Sequence, residues 1–138
     1  MKIAFYLGKH GTFYDKVICL ATFSKYSHCE IVFSDGMCAS ASCRDDGIRF
    51  KKIDLEEKWV VFDLLSQFDE AAIKYWFNLH DSDKYDYLGA FGSVLNIDST
   101  SDSKKYCSYA CATVLGIDPI ITPGALYKKL IKEKMING

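Results

Sequence analysis

The dipeptide Asp35-Gly36 constrains this chain more than any other pair of residues in it. It lies between Ser27-His28-Cys29-Glu30-Ile31-Val32-Phe33, rich in β-branched and aromatic residues, and Met37-Cys38-Ala39-Ser40-Ala41-Ser42. Asp-Gly between two strand-like runs is a strong local signal for a β-hairpin. The strand period of two puts Cys29, Ile31 and Phe33 on one face and His28, Glu30 and Val32 on the other. An imidazole and a carboxylate two residues apart on one face can touch. By itself, His28 reads as an ordinary solvated or hydrogen-bonded strand histidine. The register is open. A two-residue Asp35-Gly36 turn sets His28 opposite Cys43, with Ala41 and Ala39 on its face. A three-residue Ser34-Asp35-Gly36 loop with Gly36 left-handed sets it opposite Ser42, with Ser40 on the diagonal.

The second informative stretch runs from Lys104 to Gly116. After the polar run Asp98 to Ser103, Tyr106 precedes a cysteine that opens an alanine-rich apolar segment, Cys107-Ser108-Tyr109-Ala110-Cys111-Ala112-Thr113-Val114-Leu115, closed by Gly116. This predicts a helix that begins at Cys107 and stops at the glycine. Unpaired N–H groups and the macrodipole in a first helical turn favour negative charge, so a thiol there ionises more readily and gains nucleophilicity. The plainer alternative is a buried structural cysteine, a common fate for free thiols.

Around these two stretches the chain predicts an α+β domain, an antiparallel sheet packed against helices. Lys2 to Leu7 reads as a central strand and Gly8 to Gly11 as a loop carrying His10. Phe13 to Phe23, with Phe13, Val17, Ile18, Leu20 and Ala21 at helical spacing, reads as a helix with an apolar face. Gly47 to Ile53 and Lys58 to Leu64 read as further strands. Asp69 to Leu79 is a helix with acids in its first turn, ended by His80, whose role is structural. Asp81 to Lys84 is a turn, and Tyr85 to Gly92 leads into a short helix ending near Leu95. Thr122-Pro123 caps and opens a last helix.

Composition removes several function classes. With 138 residues, 49% hydrophobic and 25% charged, the chain has the length and balance of a single globular domain spanning residues 1–138. A net charge of −1 gives no reason to expect nucleic acid or an anionic membrane as an obligatory partner. No apolar run reaches membrane-spanning length, and Met1 to Leu7 is too short for a signal peptide, so a cytoplasmic location is expected. The six cysteines contain no Cys-x-x-Cys pair and read as reduced thiols; with three scattered histidines they offer no metal set, and no cofactor is expected.

Taken in order, Ser27-His28-Cys29-Glu30-Ile31-Val32-Phe33, Gly47-Ile48-Arg49-Phe50, Tyr85-Asp86-Tyr87-Leu88-Gly89 and Tyr106-Cys107-Ser108 resemble the circularly permuted NlpC-type, papain-like cysteine hydrolases (YiiX-like). Small phage-encoded members are especially similar. In unpermuted relatives the cysteine helix precedes the histidine strand; here, as in the permuted ones, histidine comes first. The resemblance implies a papain-like fold, Cys107 as nucleophile, His28 as base and a third polar group orienting the imidazole. Relatives place that group on the neighbouring strand, which points to Ser40. Glu30 lies on the correct face in either register and alone carries charge to hold an imidazolium, which favours it. The backbone N–H of Cys107 is the natural oxyanion donor, assisted by Tyr85 if that ring is not simply core packing. Relatives often carry an acid where this chain has Tyr109. Cys111, one turn beyond Cys107, reads either as a buried small hydrophobe or as a resolving thiol.

Three readings of function follow. The first is an amide, ester or thioester hydrolase or acyltransferase working through a Cys–His acyl-enzyme on a peptide, peptidoglycan or acyl substrate. The second, supported by Tyr109, is an inactive fold that binds a host protein. The third is a lipid-directed acyltransferase, which requires an exposed apolar patch or an anchor. Nothing in the sequence sets the oligomeric state.

Overall fold

The structure, a computed structural model, describes residues 1–87, 90 and 104–137. In chain order the elements are β1 (Lys2–Leu7), a 3-10 turn (Gly8–His10), α1 (Phe13–Ala21), β2 (Tyr26–Val32), β3 (Cys38–Ser42), β4 (Gly47–Lys51), β5 (Trp59–Asp63), α2 (Glu70–Leu79), β6 (Lys84–Tyr85), β7 (Lys104–Lys105), α3 (Cys107–Val114) and α4 (Pro123–Lys132). The strands form one sheet in the order β5-β1-β2-β3-β4-β6-β7. All neighbours are antiparallel except the two-residue pair β6·β7. The architecture is therefore α+β, with β1 inside the sheet as its apolar sequence requires. The short helix expected to end near Leu95 lies outside the described residues.

The hairpin resolves to the longer loop. Ile31 pairs with Ala39 and Val32 with Cys38, Phe33 N–H donates to the Met37 carbonyl at 2.9 Å, and Gly36 takes the left-handed backbone (φ 81°) that the turn demands. The β2·β3 ladder is limited to those two pairs, so the strands part toward His28. The next connection depends on Gly47. Its φ is +148°, and a Cβ there would stand 2.1 Å from the Asp83 carbonyl, so only glycine lets β4 meet β6 this closely.

The helix ends follow local chemistry. Asp69 caps α2 by accepting from Ala71 and Ala72 N–H, and His80 closes it, its ring stacked on Trp76 with Nδ1 2.8 Å from the Trp76 carbonyl. Thr122 caps α4, with Pro123 in the first turn. The end of α3 is a Schellman motif: Ile117 N–H donates to Ala112 O, Gly116 N–H to Thr113 O, and Gly116 has φ 70°.

One continuous core joins the inner face of the sheet (Phe5, Cys29, Ile31, Phe33, Ala39) to Phe77 of α2, Ala110 and Cys111 of α3 and Leu126 and Leu130 of α4. A small satellite of Ala4, Val32 and Cys38 covers the other face. The sequence misleads at α1. Its apolar stripe does not enter the core; Phe13 and Leu20 are 83% and 77% exposed, and Asp15 is the residue of α1 that is buried. The reason is polar. Asp15 Oδ2 accepts from the N–H and hydroxyl of Thr12, each at 2.8 Å, while Oδ1 accepts from the Ser27 hydroxyl at 2.8 Å. That network turns the helix about its axis and ties it to β2 beside His28.

Candidate active site

Where β2 and β3 part, the peptide edge at Cys29 lacks a strand partner on β3, and α3 supplies thiols instead. The Cys111 thiol reaches the Cys29 carbonyl at 3.8 Å, and the Cys29 backbone lowers the pKa of Cys107. Cys111 is thus a packing and edge-satisfying residue on a fully buried site. The same docking sets Cys107 at the head of α3 against β2, where it and His28 shift each other's pKa. The residues at the two ends of the chain that the sequence singles out are brought together.

His28 is held from its other side. Its Nε2 lies 2.7 Å from Glu30 Oε1, which leaves Nδ1 for the thiol. Glu30 is completely buried, yet its charge is compensated: Arg49 grips it with both terminal nitrogens, Nη1 to Oε2 at 2.7 Å and Nη2 to Oε1. Arg49 in turn donates from Nε to Asp45 at 3.0 Å. Of the two candidate orienters, Glu30 is the one that contacts the imidazole. Ser40, also completely buried, has no hydrogen-bond partner for its hydroxyl among the described residues; it pairs across the ladder with Arg49.

The electrostatics follow from this geometry. For Cys107, a hydrogen bond from the Cys29 thiol is the largest influence; burial opposes it, and the His28 charge and hydrogen bond add to it, so the thiol is held well below its ordinary range. Burial pulls the His28 imidazolium down, but the Cys107 thiolate and the bond to Glu30 outweigh it and raise its pKa well above the usual 6.5. Burial pushes Glu30 up; the Arg49 fork and His28 more than reverse this and keep it ionised. Cys29 goes the other way, raised well above an ordinary thiol by burial, so it stays a donor.

His28 and Glu30 open onto a groove of about 420 Å³ whose walls include Tyr6, Trp59, Arg44 and Lys58. Cys107 lines a small adjoining recess of about 20 Å³, and Tyr85, Ile18 and Ser27 line both. Tyr85 is buried and keeps its proton: burial first, then the neighbouring thiolate, raise it well above a free phenol. Tyr14 is raised for the same reasons, burial first and then charges at Cys43 and Cys107. Two neutral phenols thus stand near the sulfur. Trp59 meets the His28 ring edge-on at 6.0 Å.

Sequence reasoning passes over Arg49, Asp15 and Tyr14. A signal for Arg49 exists: Ile48 and Phe50 alternate with it, as Ile31 and Phe33 alternate with Glu30, placing both charges away from the main core. No such signal exists for Asp15 or Tyr14, because the stripe of α1 points the wrong way. Comparison with known proteins gives no name to this arrangement: no family model matches the chain, and neither a curated protein nor a solved structure is similar to it.

Proposed function

We propose that this chain is a cysteine-dependent hydrolase or acyltransferase with a papain-like, circularly permuted NlpC-type fold, which cleaves an amide or ester through a Cys107 acyl-enzyme. One observation carries the reading: Cys107, at the head of a helix, interacts electrostatically with an imidazole that Glu30 holds from behind, with Arg49 fixing Glu30. A depressed thiol, a raised imidazole and a locked orienter are what nucleophilic acyl transfer needs.

In the first half-reaction the Cys107 thiolate attacks the carbonyl carbon. The negative charge on the carbonyl oxygen faces the α3 N-terminus, where the Cys107 N–H has no partner within the helix, with the Tyr85 phenol nearby as a further donor. The tetrahedral centre collapses, the C–N or C–O bond breaks, and the leaving group takes the proton of the His28 imidazolium. In the second, neutral His28 removes a proton from water, which attacks the thioester and expels the thiolate. Glu30 keeps the ring oriented throughout and stabilises its charge without itself accepting the proton. The groove, walled by rings and by Arg44 and Lys58, suits a peptide or peptidoglycan segment, and the resemblance of the sequence to phage-encoded proteins is the support for a substrate in a bacterial host.

The test is acyl-enzyme trapping. An activated acyl ester should leave its acyl mass on the Cys107 peptide, and iodoacetamide should label Cys107 well ahead of the other five thiols at a pH where ordinary thiols are protonated; both are lost in His28→Ala. Equal labelling of all six cysteines would overturn the reading. A binding role without catalysis is favoured by one observation, Tyr109, which stands where relatives have an acid and packs edge-on against Tyr106 at 5.6 Å. That reading requires the biological effect to survive Cys107→Ala.

A further inference from the structure

The outer face of α1 is built inside-out. Phe13, Val17 and Leu20 sit at helical i, i+4, i+7 spacing, the stripe that normally packs on a core, and all three face solvent. Phe23, just past the helix, is 91% exposed and holds φ 48°, a left-handed backbone that a bulky side chain adopts at a cost. A chain under no other demand would bury these side chains, or place glycine at position 23. Lysines flank this stripe in the chain: Lys16 lies within α1, Lys9 precedes it and Lys25, its Nζ 5.1 Å from the Tyr26 ring centroid, follows it. Lys9, Lys16 and Lys25 are exposed, and none forms an ion pair among the described residues, while Asp15 is turned inward and engaged by Thr12, Ser27 and Arg44.

We propose that this face docks on an anionic lipid surface, with Phe13, Leu20 and Phe23 entering the interface and Lys9, Lys16 and Lys25 meeting lipid phosphates. Nine residues are too short to span a bilayer but long enough to lie in its headgroup region. Charge selects this occupant over a second copy of the chain, because a two-fold contact through the stripe brings the same lysines together. The inner side of α1 contributes Thr12, Asp15 and Ile18 to the groove wall, so a docked molecule holds its groove beside the lipid surface. The docking does not depend on cysteine chemistry.

The experiment is co-sedimentation of the full chain with vesicles of phosphatidylcholine alone and of equal parts phosphatidylcholine and phosphatidylglycerol, with Cys107→Ser alongside. The wild type and Cys107→Ser should partition equally onto the phosphatidylglycerol vesicles, less so at high salt, and weakly onto phosphatidylcholine. Leu20→Ser with Phe23→Gly should weaken partitioning roughly tenfold or more while keeping or raising Tm, since glycine relieves the backbone at position 23. Lys9→Glu with Lys16→Glu should abolish the preference for phosphatidylglycerol. No partitioning onto either vesicle, or partitioning unchanged in both double variants, overturns the proposal. So does a dimer in sedimentation equilibrium that the Leu20→Ser, Phe23→Gly variant dissolves, which would assign the face to a second copy.

Discussion

At the residue scale the site depends on a buried carboxylate whose charge is compensated twice. Glu30 has no exposure at all, so its ionised form persists only because Arg49 forks onto it while His28 shares Oε1. Removing one partner of such a pair leaves an uncompensated buried charge, and Arg49→Ala should destabilise the fold by about 3 kcal/mol, read as a fall in Tm on the order of 10 °C. Arg49→Lys keeps a charge but loses the fork, and should fall between the two. If Arg49 acts on the site by fixing Glu30, the folded Arg49→Lys protein should also begin to alkylate at Cys107 only at higher pH, because a looser carboxylate holds the imidazolium less firmly. A drop in Tm with an unmoved alkylation profile would make Arg49 a stabilising residue only.

At the element scale, what was legible in the sequence was what is chemically local. Asp69, Thr122 and Gly116 declare helix ends because the backbone groups they serve are a few residues away. Gly116→Ala tests this directly: a β-carbon at φ 70° with open space around it should lower stability by about 1 kcal/mol through backbone strain alone, and Gly116→Asn by less. An unchanged urea midpoint in Gly116→Ala would mean the Schellman end contributes nothing. The hairpin register, by contrast, is open between two loops in the sequence, since either turn is chemically acceptable; the longer loop is settled by Ile31–Ala39 and Val32–Cys38 pairing, which depends on the sheet. The orientation of α1 was not legible at all. Its period says helix, but which side turns inward is decided by Ser27 and Arg44 reaching Asp15 from other elements. The two-residue strands β6 and β7 are likewise too short to carry any pattern of their own.

At the scale of the whole molecule, residues 28 and 107 share one electrostatically coupled site, and their opposed shifts couple its protonation to folding. His28 has its pKa raised above 6.5, so its contribution to stability is complete below that value and is lost as pH rises through the raised one. Cys107 is depressed below 9.0, so its contribution is complete above 9.0 and is lost as pH falls through the depressed value. As pH falls below 9.0 toward the depressed Cys107 value, the unfolded thiol binds a proton that the folded one does not, so this group makes stability rise with pH. As pH rises above 6.5 toward the raised His28 value, the folded imidazole keeps a proton that the unfolded one releases, so this group makes stability fall with pH. Between 6.5 and 9.0 the two slopes therefore oppose each other. Above 9.0 the Cys107 slope ends, and Cys29, raised, and Cys38, pushed up to about 11, make stability fall. Urea midpoints measured across pH should therefore approach a plateau between those two ordinary values. Cys107→Ser should turn the plateau into a decline, because the surviving His28 slope is no longer offset if its raised pKa persists through Glu30. His28→Ala should leave the rising thiol slope, or flatten it if the thiolate is lost with its cation. A wild-type profile sloping steadily through the neutral range, unaltered by either substitution, would mean that thiolate and imidazolium do not form in the folded molecule.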